Sequence, residues 1–334
     1  MIRIIIADDS PFIRARLEEL FTAQGIAVVA ALENGAEAVE AVRRLKPDAV
    51  VMDYEMPVMD GIEALEMIRR DSAVPVIIFS AYTPEGAVQT LRAVEAGAHD
   101  VILKPAGGQR PPAVIEQELV ASVRCAAGAK TAKRKPFEIA ARQVDVICAG
   151  SSAGGVYAAG RILPLLPTDM PPVVWVQHMP AEFMAAFAGR LNSISRLEVK
   201  LAEQNEPLRH GVCYMSPHGT ECGLRKTPNG YAIALSACNP RRRFCPSCDG
   251  IFESAAEVCG ARAVGVILSG IGSDGTDGLV RLHNAGGYVV GQSESSCVVY
   301  GMPHSAAEAG AVDITVPLED ITPLLCKLTG AGAK

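Results

Sequence analysis

Ser152 stands in Gly150-Ser151-Ser152-Ala153-Gly154, a G-x-S-x-G run between an apolar stretch and a helical pattern. His178 ends the run Val173-Val174-Trp175-Val176-Gln177, and Asp274 lies in Gly272-Ser273-Asp274-Gly275, beyond the apolar Val264–Ser269. A serine hydroxyl becomes a nucleophile when a base takes its proton, and a carboxylate can hold that base in the required tautomer. Each residue falls at the expected C-terminal end of a strand, and ends of neighbouring parallel strands share one sheet edge. The order Ser, His, Asp differs from the Ser, Asp, His order of α/β-hydrolases, so any triad sits on another topology. A Gly-rich strand–helix turn also suits phosphate. A dinucleotide fingerprint is not met: G-x-G-x-x-G is absent, and Asp169 precedes the second strand instead of ending it.

A second set of residues suits phosphoryl transfer. Asp8 and Asp9 follow a first strand, Asp53 a third, Ser80 a fourth, and Lys104-Pro105 a fifth. On a doubly wound sheet these positions converge at one carboxyl edge. Three acids there (Asp8, Asp9, Asp53) suit Mg2+, a hard cation that seeks oxygen. Neutralising an incoming phosphate lets one carboxylate attack phosphorus. Lys104 adds positive charge, and the Ser80 hydroxyl can bond the new phosphoryl group.

The chain has 334 residues, room for two domains with separate cores. Hydrophobic content of 49% with 20% charged residues indicates a globular protein. No apolar run reaches bilayer-spanning length, so no membrane insertion is expected. The opening Met-Ile-Arg-Ile-Ile-Ile-Ala-Asp-Asp reads as a strand and not a signal peptide, which predicts a cytoplasmic protein. Net charge is −6, and residues 1–126 hold 12 Lys+Arg against 19 Asp+Glu. That balance argues against nucleic acid as a partner. Most of the ten cysteines sit in apolar surroundings and read as unpaired buried thiols. Cys245-Pro-Ser-Cys248 has a spacing that also suits redox exchange or half a zinc site, with Cys222 and Cys238 able to complete a set, but ordinary unpaired thiols are the main expectation there too.

Around these residues the hydrophobic pattern predicts alternating strands and helices. Strands are expected at Ile2–Ala7, Ala27–Ala31, Ala49–Met52, Val76–Phe79 and Asp100–Leu103. Helices are expected at Arg14–Gln24, Ala36–Leu45, Ile62–Arg70, Gly86–Ala96 and Pro112–Ala126. This is the pattern of a doubly wound parallel sheet. Residues 127–143, basic and without an apolar period, read as a linker. A second α/β run over 144–330 has strands at Asp145–Ala149, Val173–Gln177, Ala263–Ser269, Tyr288–Gly291 and Val312–Val316. Its helices are expected at Val156–Leu166, Ala181–Asn192, Ile251–Cys259, Asp277–Ala285 and Leu318–Leu328, and the turn-rich 198–240 predicts an antiparallel hairpin.

Residues 1–126 resemble the receiver domain of two-component response regulators. The matching residues are Asp8-Asp9, Asp53 in Met52-Asp53-Tyr54-Glu55-Met56-Pro57, Asp60-Gly61, Ser80-Ala81 and Lys104-Pro105. Residues 144–330 resemble the catalytic domain of chemotaxis protein-glutamate methylesterases, the CheB family. That likeness rests on Gly150–Gly155, Gln177-His178-Met179-Pro180, Gly265–Gly270, Gly272–Gly275 and Glu294–Pro303. The resemblance implies a flavodoxin-like receiver followed by a Rossmann-like α/β methylesterase domain. It implies phosphorylation of Asp53 by a chemotaxis histidine kinase, with Mg2+ in the receiver and no cofactor in the catalytic domain. It further implies that Ser152 is nucleophile, His178 base and acid, Asp274 the orienting carboxylate and Ile271 N–H an oxyanion donor. The substrates would be methyl-esterified glutamates, and some glutamines, on chemoreceptor cytoplasmic helices, with the receiver restraining catalysis until it is phosphorylated. Departures are Val101 where receivers carry Tyr or Phe, Ala153 where Thr is usual, Ile271 in place of Met, and the paired cysteines at 245 and 248. Two alternatives compete: an output domain that only binds, and an esterase or amidase acting on another protein.

Overall fold

A computed structural model describes residues 1–80, 92–93, 96–104, 112–128 and 139–332. The chain divides into two compact units, Met1–Thr131 and Ala132–Lys334. The first is built on β1 (Arg3–Ala7), β2 (Ala27–Leu32), β3 (Ala49–Met52), β4 (Val76–Ser80) and β5 (Asp100–Leu103). Their order is β2-β1-β3-β4-β5, all parallel. Side chains alternate across the pleat: Ile4 and Ile6 enter one core with Phe21 and Leu119, and Ile5 and Ala7 enter the other with Val39 and Leu65. Both faces are therefore apolar, which explains why these strands read as continuous hydrophobic runs. Helix starts are set by local chemistry. Ser10 caps Pro11–Ala23, Asn34 caps Gly35–Leu45, and Asp60 with Glu63 forms a capping box on Gly61–Asp71.

The second unit has a seven-stranded sheet in the order β14-β13-β12-β6-β7-β9-β8 and a separate hairpin, β10-β11. The sheet strands are β6 (Val146–Ser151), β7 (Val173–Gln177), β8 (Glu198–Leu201), β9 (Val212–Met215), β12 (Ala263–Ile267), β13 (Tyr288–Gln292) and β14 (Ile314–Val316). All sheet pairs are parallel. The hairpin pairs β10 (Glu221–Thr227) with β11 (Gly230–Ser236). Val146 and Cys148 point to a core holding Ile251, Phe252, Leu279 and Leu282. Ile147 and Ala149 face Ile162, Ile321 and Leu325 on the opposite side. Strand β6 lies between β7 and β12, where the order of connections reverses. In open α/β sheets such a switch point opens a crevice beyond the strand ends.

The antiparallel hairpin expected within 198–240 is present as β10-β11, and other expectations need correction. In the same stretch β8 and β9 are two further strands that extend the main sheet in parallel. Met215 pairs with both Leu201 and Trp175, so this segment is apolar because it is buried in the sheet. A helix over Met302–Glu308 has no counterpart in the expected elements. The helix Pro112–Gly128 takes in Ala127 and Gly128, which the sequence pattern gives to the linker. Arg142 is also not free: its N–H donates to Leu328 O, and its guanidinium donates to Gly286 O at 3.0 Å and stacks over Tyr288. Residues 129–138 of the expected linker, Ala81, Pro105 and most of the expected helix 86–96 lie outside the described residues.

Candidate active site and phosphoryl-acceptor site

In the second unit the strand ends bring the expected residues to one edge. Strand β6 ends at Ser151, and its register sets Ser151 opposite Gln177, so Ser152 and His178 leave adjacent parallel strands side by side. Ser151 is fully buried and structural. It receives the indole N–H of Trp175 at 2.8 Å and donates to Gln177 Oε1 at 2.6 Å. The Gln177 amide N–H groups then reach Ser152 O at 2.8 Å and His178 O at 3.1 Å. One buried chain of hydrogen bonds thus fixes the two turns relative to each other. Gly154, at φ +78°, opens the helix Gly155–Ile162, and a Cβ there would run into Val298.

The third wall comes from the segment after β12. Ser152 N–H donates to Ser269 O, and Ser269 Oγ donates to Ala153 O at 2.7 Å and accepts Val299 N–H at 2.9 Å. Ala153 therefore joins the elbow through its carbonyl, a role that needs no side-chain hydroxyl. The Ser152 side chain lies against Gly270, where an added Cβ would stand 2.9 Å from Ser152 Cβ. Gly270 O accepts the N–H of Gly301 and Met302, which explains the position of the run Glu294–Pro303. Ile271 follows, half-buried, and its N–H donates to no backbone carbonyl among the described residues.

His178 Nε2 meets Asp274 Oδ2 at 2.7 Å, and both side chains are only 8% exposed. The carboxylate is seated on the start of the helix Cys248–Val258: Cys248 N–H donates at 2.7 Å and Asp249 N–H at 3.2 Å. Burial pushes the Asp274 carboxyl up, but the His178 contact and the Cys248 N–H outweigh it and hold it below the ordinary range. Asp249 lacks such compensation. Burial, with the charges of Asp274 and Asp277, lifts it to about 6 despite the N–H of Gly278. His178 Nδ1 is buried without a partner, and among the described residues the Ser152 hydroxyl forms no hydrogen bond. The structure therefore couples His178 to Asp274 and sets Ser152 beside them without the final bond. Such bonds often form only when substrate is present.

One part of the site was not legible in the sequence. Cys245 pairs with Cys238 and not with Cys248, at a Cα–Cα distance of 5.6 Å, so the reading of unpaired thiols fails for these two. The closed segment carries Phe244, which stacks on the His178 ring at 4.2 Å between centroids. Arg242 anchors this segment on Glu253 and, at 3.6 Å, on Glu221. Cys248 remains a free buried thiol, 3.8 Å from His178 Nε2.

In the first unit Asp8 and Asp53 are buried, and Asp9 is exposed beside them. Their carboxylate oxygens lie within 4.8 Å of one another, a donor set that fits a hard dication. Lys104 Nζ bridges Asp8 at 2.7 Å and Asp53 at 2.6 Å, and the Lys104 backbone N–H donates to the carbonyl of buried Ser80. Burial lifts the Asp53 carboxyl to about 6, against the pull of Lys104 and with a further push from Asp8. Val101 packs partly buried against the core of this unit.

Known proteins share both halves of this arrangement. The CheB methylesterase family matches residues 147–325, and the response regulator receiver domain matches residues 4–116. A protein-glutamate methylesterase/protein-glutamine glutaminase of Archaeoglobus fulgidus is 38% identical over 96% of this chain and 95% of its own. One of the same name from Vibrio cholerae is 36% identical over 96% and 97%. The crystal structure of the Thermotoga maritima CheB methylesterase catalytic domain is 35% identical, with TM-score 0.53, and covers 55% of this chain and 97% of that one.

Two outcomes follow from the geometry. Ser151→Ala orphans the Trp175 N–H and Gln177 Oε1, so urea denaturation should show a loss of about 1–3 kcal/mol. Ser152→Ala removes a hydroxyl bonded to nothing and should stay within about 0.5 kcal/mol of wild type. In the first unit, the raised Asp53 carboxyl favours its protonated form in the fold. Its contribution is whole below pH 3.8 and is lost as pH rises through about 6. Asp53→Asn should therefore raise the melting temperature at pH 7 but not at pH 4, and Mg2+ should do the same for wild type. An equal effect at both pH values would refute the burial argument.

Proposed function

The chain belongs to the CheB methylesterase family, and from that premise we propose that it is a phosphorylation-activated serine hydrolase of chemoreceptor glutamate methyl esters. The observation that carries the reading is the His178–Asp274 pair, seated on a helix start, with Nδ1 left unpartnered and Ser152 leaving the strand next to that of His178. Here Nε2 faces the carboxylate and Nδ1 is left for the nucleophile. Asp274 keeps the proton on Nε2, so Nδ1 is the free base.

Nδ1 takes the Ser152 proton as Oγ attacks the ester carbonyl, and the Ile271 N–H meets the oxyanion. Nδ1 then returns the proton to the departing methoxide, which leaves as methanol. Water repeats the cycle on the acyl-enzyme and frees a glutamate carboxylate. A receptor glutamine passes through the same acyl-enzyme with ammonia as leaving group, which accounts for a glutaminase activity.

In the receiver, Asp8, Asp9 and Asp53 would hold Mg2+, which supplies charge neutralisation for the incoming phosphoryl group. Asp53 accepts that group from a histidine kinase, Lys104 offers its ammonium to the new dianion, and Ser80 its hydroxyl. With a histidine kinase as donor and receptor signalling helices as substrate, the reaction belongs to the cytoplasm. The activated state is favoured only as far as the two receiver states differ in their effect on the enzyme. A tenfold gain corresponds to about 1.4 kcal/mol.

Methanol release from methylated receptor membranes tests both halves. Ser152→Ala should lower the rate by roughly six orders of magnitude. Acetyl phosphate with Mg2+ should raise the wild-type rate about tenfold, and Asp53→Ala should remove that response while keeping the basal rate. A Ser152→Ala protein within about tenfold of wild type would contradict the assignment of the nucleophile.

A further inference from the structure

The buried Cys248 thiol has no part in the chemistry above, yet it faces the base. Cys248 Sγ is 3.8 Å from His178 Nε2, and Nε2 is 2.7 Å from Asp274 Oδ2. All three donor atoms lie within 4.8 Å of one another. They arrive from three places in the fold: the end of β7, the first turn of Cys248–Val258 and the loop after β12. We propose that His178, Cys248 and Asp274 form a regulatory site for a thiophilic dication of the zinc class, whose binding switches the esterase off.

The donor chemistry selects the ion. One imidazole nitrogen, one sulfur and one carboxylate oxygen are the mixed set that Zn2+ takes, whereas Mg2+ and Ca2+ seek oxygen alone. Tetrahedral Zn2+ with bonds of about 2.0–2.3 Å separates its ligand atoms by about 3.3–3.7 Å. The Cys–His spacing is already close to this, and the His–Asp spacing must open by about 0.6 Å. Phe244 stacks on the face of the His178 ring, while a metal bonds in the ring plane, so the stack leaves that direction clear.

Charge and proton accounting are consistent with a closed-off state. Cys248 gives up its thiol proton to solvent, and thiolate plus carboxylate neutralise the dication, so the buried cluster passes from a single negative charge to neutral. Nε2 must offer its lone pair to the metal, so the imidazole proton moves to Nδ1 through solvent. A protonated Nδ1 cannot accept from Ser152, and Asp274 no longer orients the ring. No electrons are transferred. The bond to the metal replaces the hydrogen bond on which the base depends.

The inhibitory effect rests on His178 being the base, but binding does not, so two readouts separate them. Full-length protein with its disulfide intact is titrated with Co2+ as a spectroscopic stand-in, and then with Zn2+ against a chromophoric chelator. With excess Mg2+ present to fill the receiver's acidic site, one Co2+ per chain should give a thiolate-to-metal charge-transfer band in the near ultraviolet that Zn2+ removes. Cys248→Ala should lose the band and bind Zn2+ about a hundredfold more weakly. Asp274→Asn should keep the band but need about tenfold more metal. Should Cys248→Ala fail to fold, Cys248→Ser serves with the same expected loss of band. Methanol release by wild type should fall over the Zn2+ range that fills the site and recover with chelator, while Cys248→Ala, relative to its own zinc-free rate, resists. Absence of the band in wild type, or an unchanged band and Zn2+ affinity in Cys248→Ala, overturns the proposal. No methanol release without zinc, with the band intact, would instead count against the esterase reading.

Discussion

The catalytic unit depends on one buried anion. Asp274 loses water on entering the fold, and the loss is made good by His178 and by the first two N–H groups of the helix Cys248–Val258. Those N–H groups have no partner inside their own helix, and they sit at the positive end of its dipole. A carboxylate anchored this way has little freedom to turn, so its remaining oxygen direction dictates the imidazole plane and tautomer. The rest of the site is arranged around that plane. Phe244 braces one face, Gln177 ties the His178 turn to the serine turn, and Ser269 with Gly270 closes the wall behind Ser152.

The receiver shows the same problem solved to a different degree. Asp53 is also a carboxylate at a buried strand end, with Lys104 at 2.6 Å, yet its carboxyl is lifted to about 6 while that of Asp274 is held low. The difference lies in compensation. Lys104 is shared with Asp8, and among the described residues the one backbone donor to Asp53 is the N–H of Tyr54. Asp274 has two backbone donors and a ring to itself. An under-compensated acid gains from a metal ion and responds to phosphorylation, and a fully compensated one holds still. The first condition suits a carboxylate that accepts a phosphoryl group, and the second suits one that orients a base.

Much of this was legible because strand ends carry their chemistry in a local pattern. The runs around Ser152, His178, Asp8 and Asp53 could be placed at C-terminal strand ends from hydrophobic pattern alone, since both sheets are buried on both faces. What escaped is tertiary in origin. Strands β8 and β9 were missed beside the expected hairpin, because nothing local says that a strand will join a distant sheet in parallel. Cys245 is nearer in sequence to Cys248 than to Cys238, but Cys248 opens a helix and is drawn inward beneath His178, which leaves Cys238 as the partner. The stack of Phe244 on His178 joins residues 66 positions apart, and no composition or period announces it. Ser151 is the instructive case, for the G-x-S-x-G spacing singles out Ser152, but only burial and hydrogen bonding show that its neighbour is scaffold.

The central claim is that Ser152 is made reactive by His178 under the control of Asp274. Covalent labelling by an organophosphonate ester, followed by peptide mass analysis, reads that reactivity without any receptor substrate. The wild-type chain should carry a single phosphonyl group on Ser152, and Asp274→Asn should label slower by about 10⁴-fold because its imidazole loses the required tautomer. A label on Ser151 or elsewhere, no label at all, or an Asp274→Asn protein that labels as fast as wild type would contradict the account.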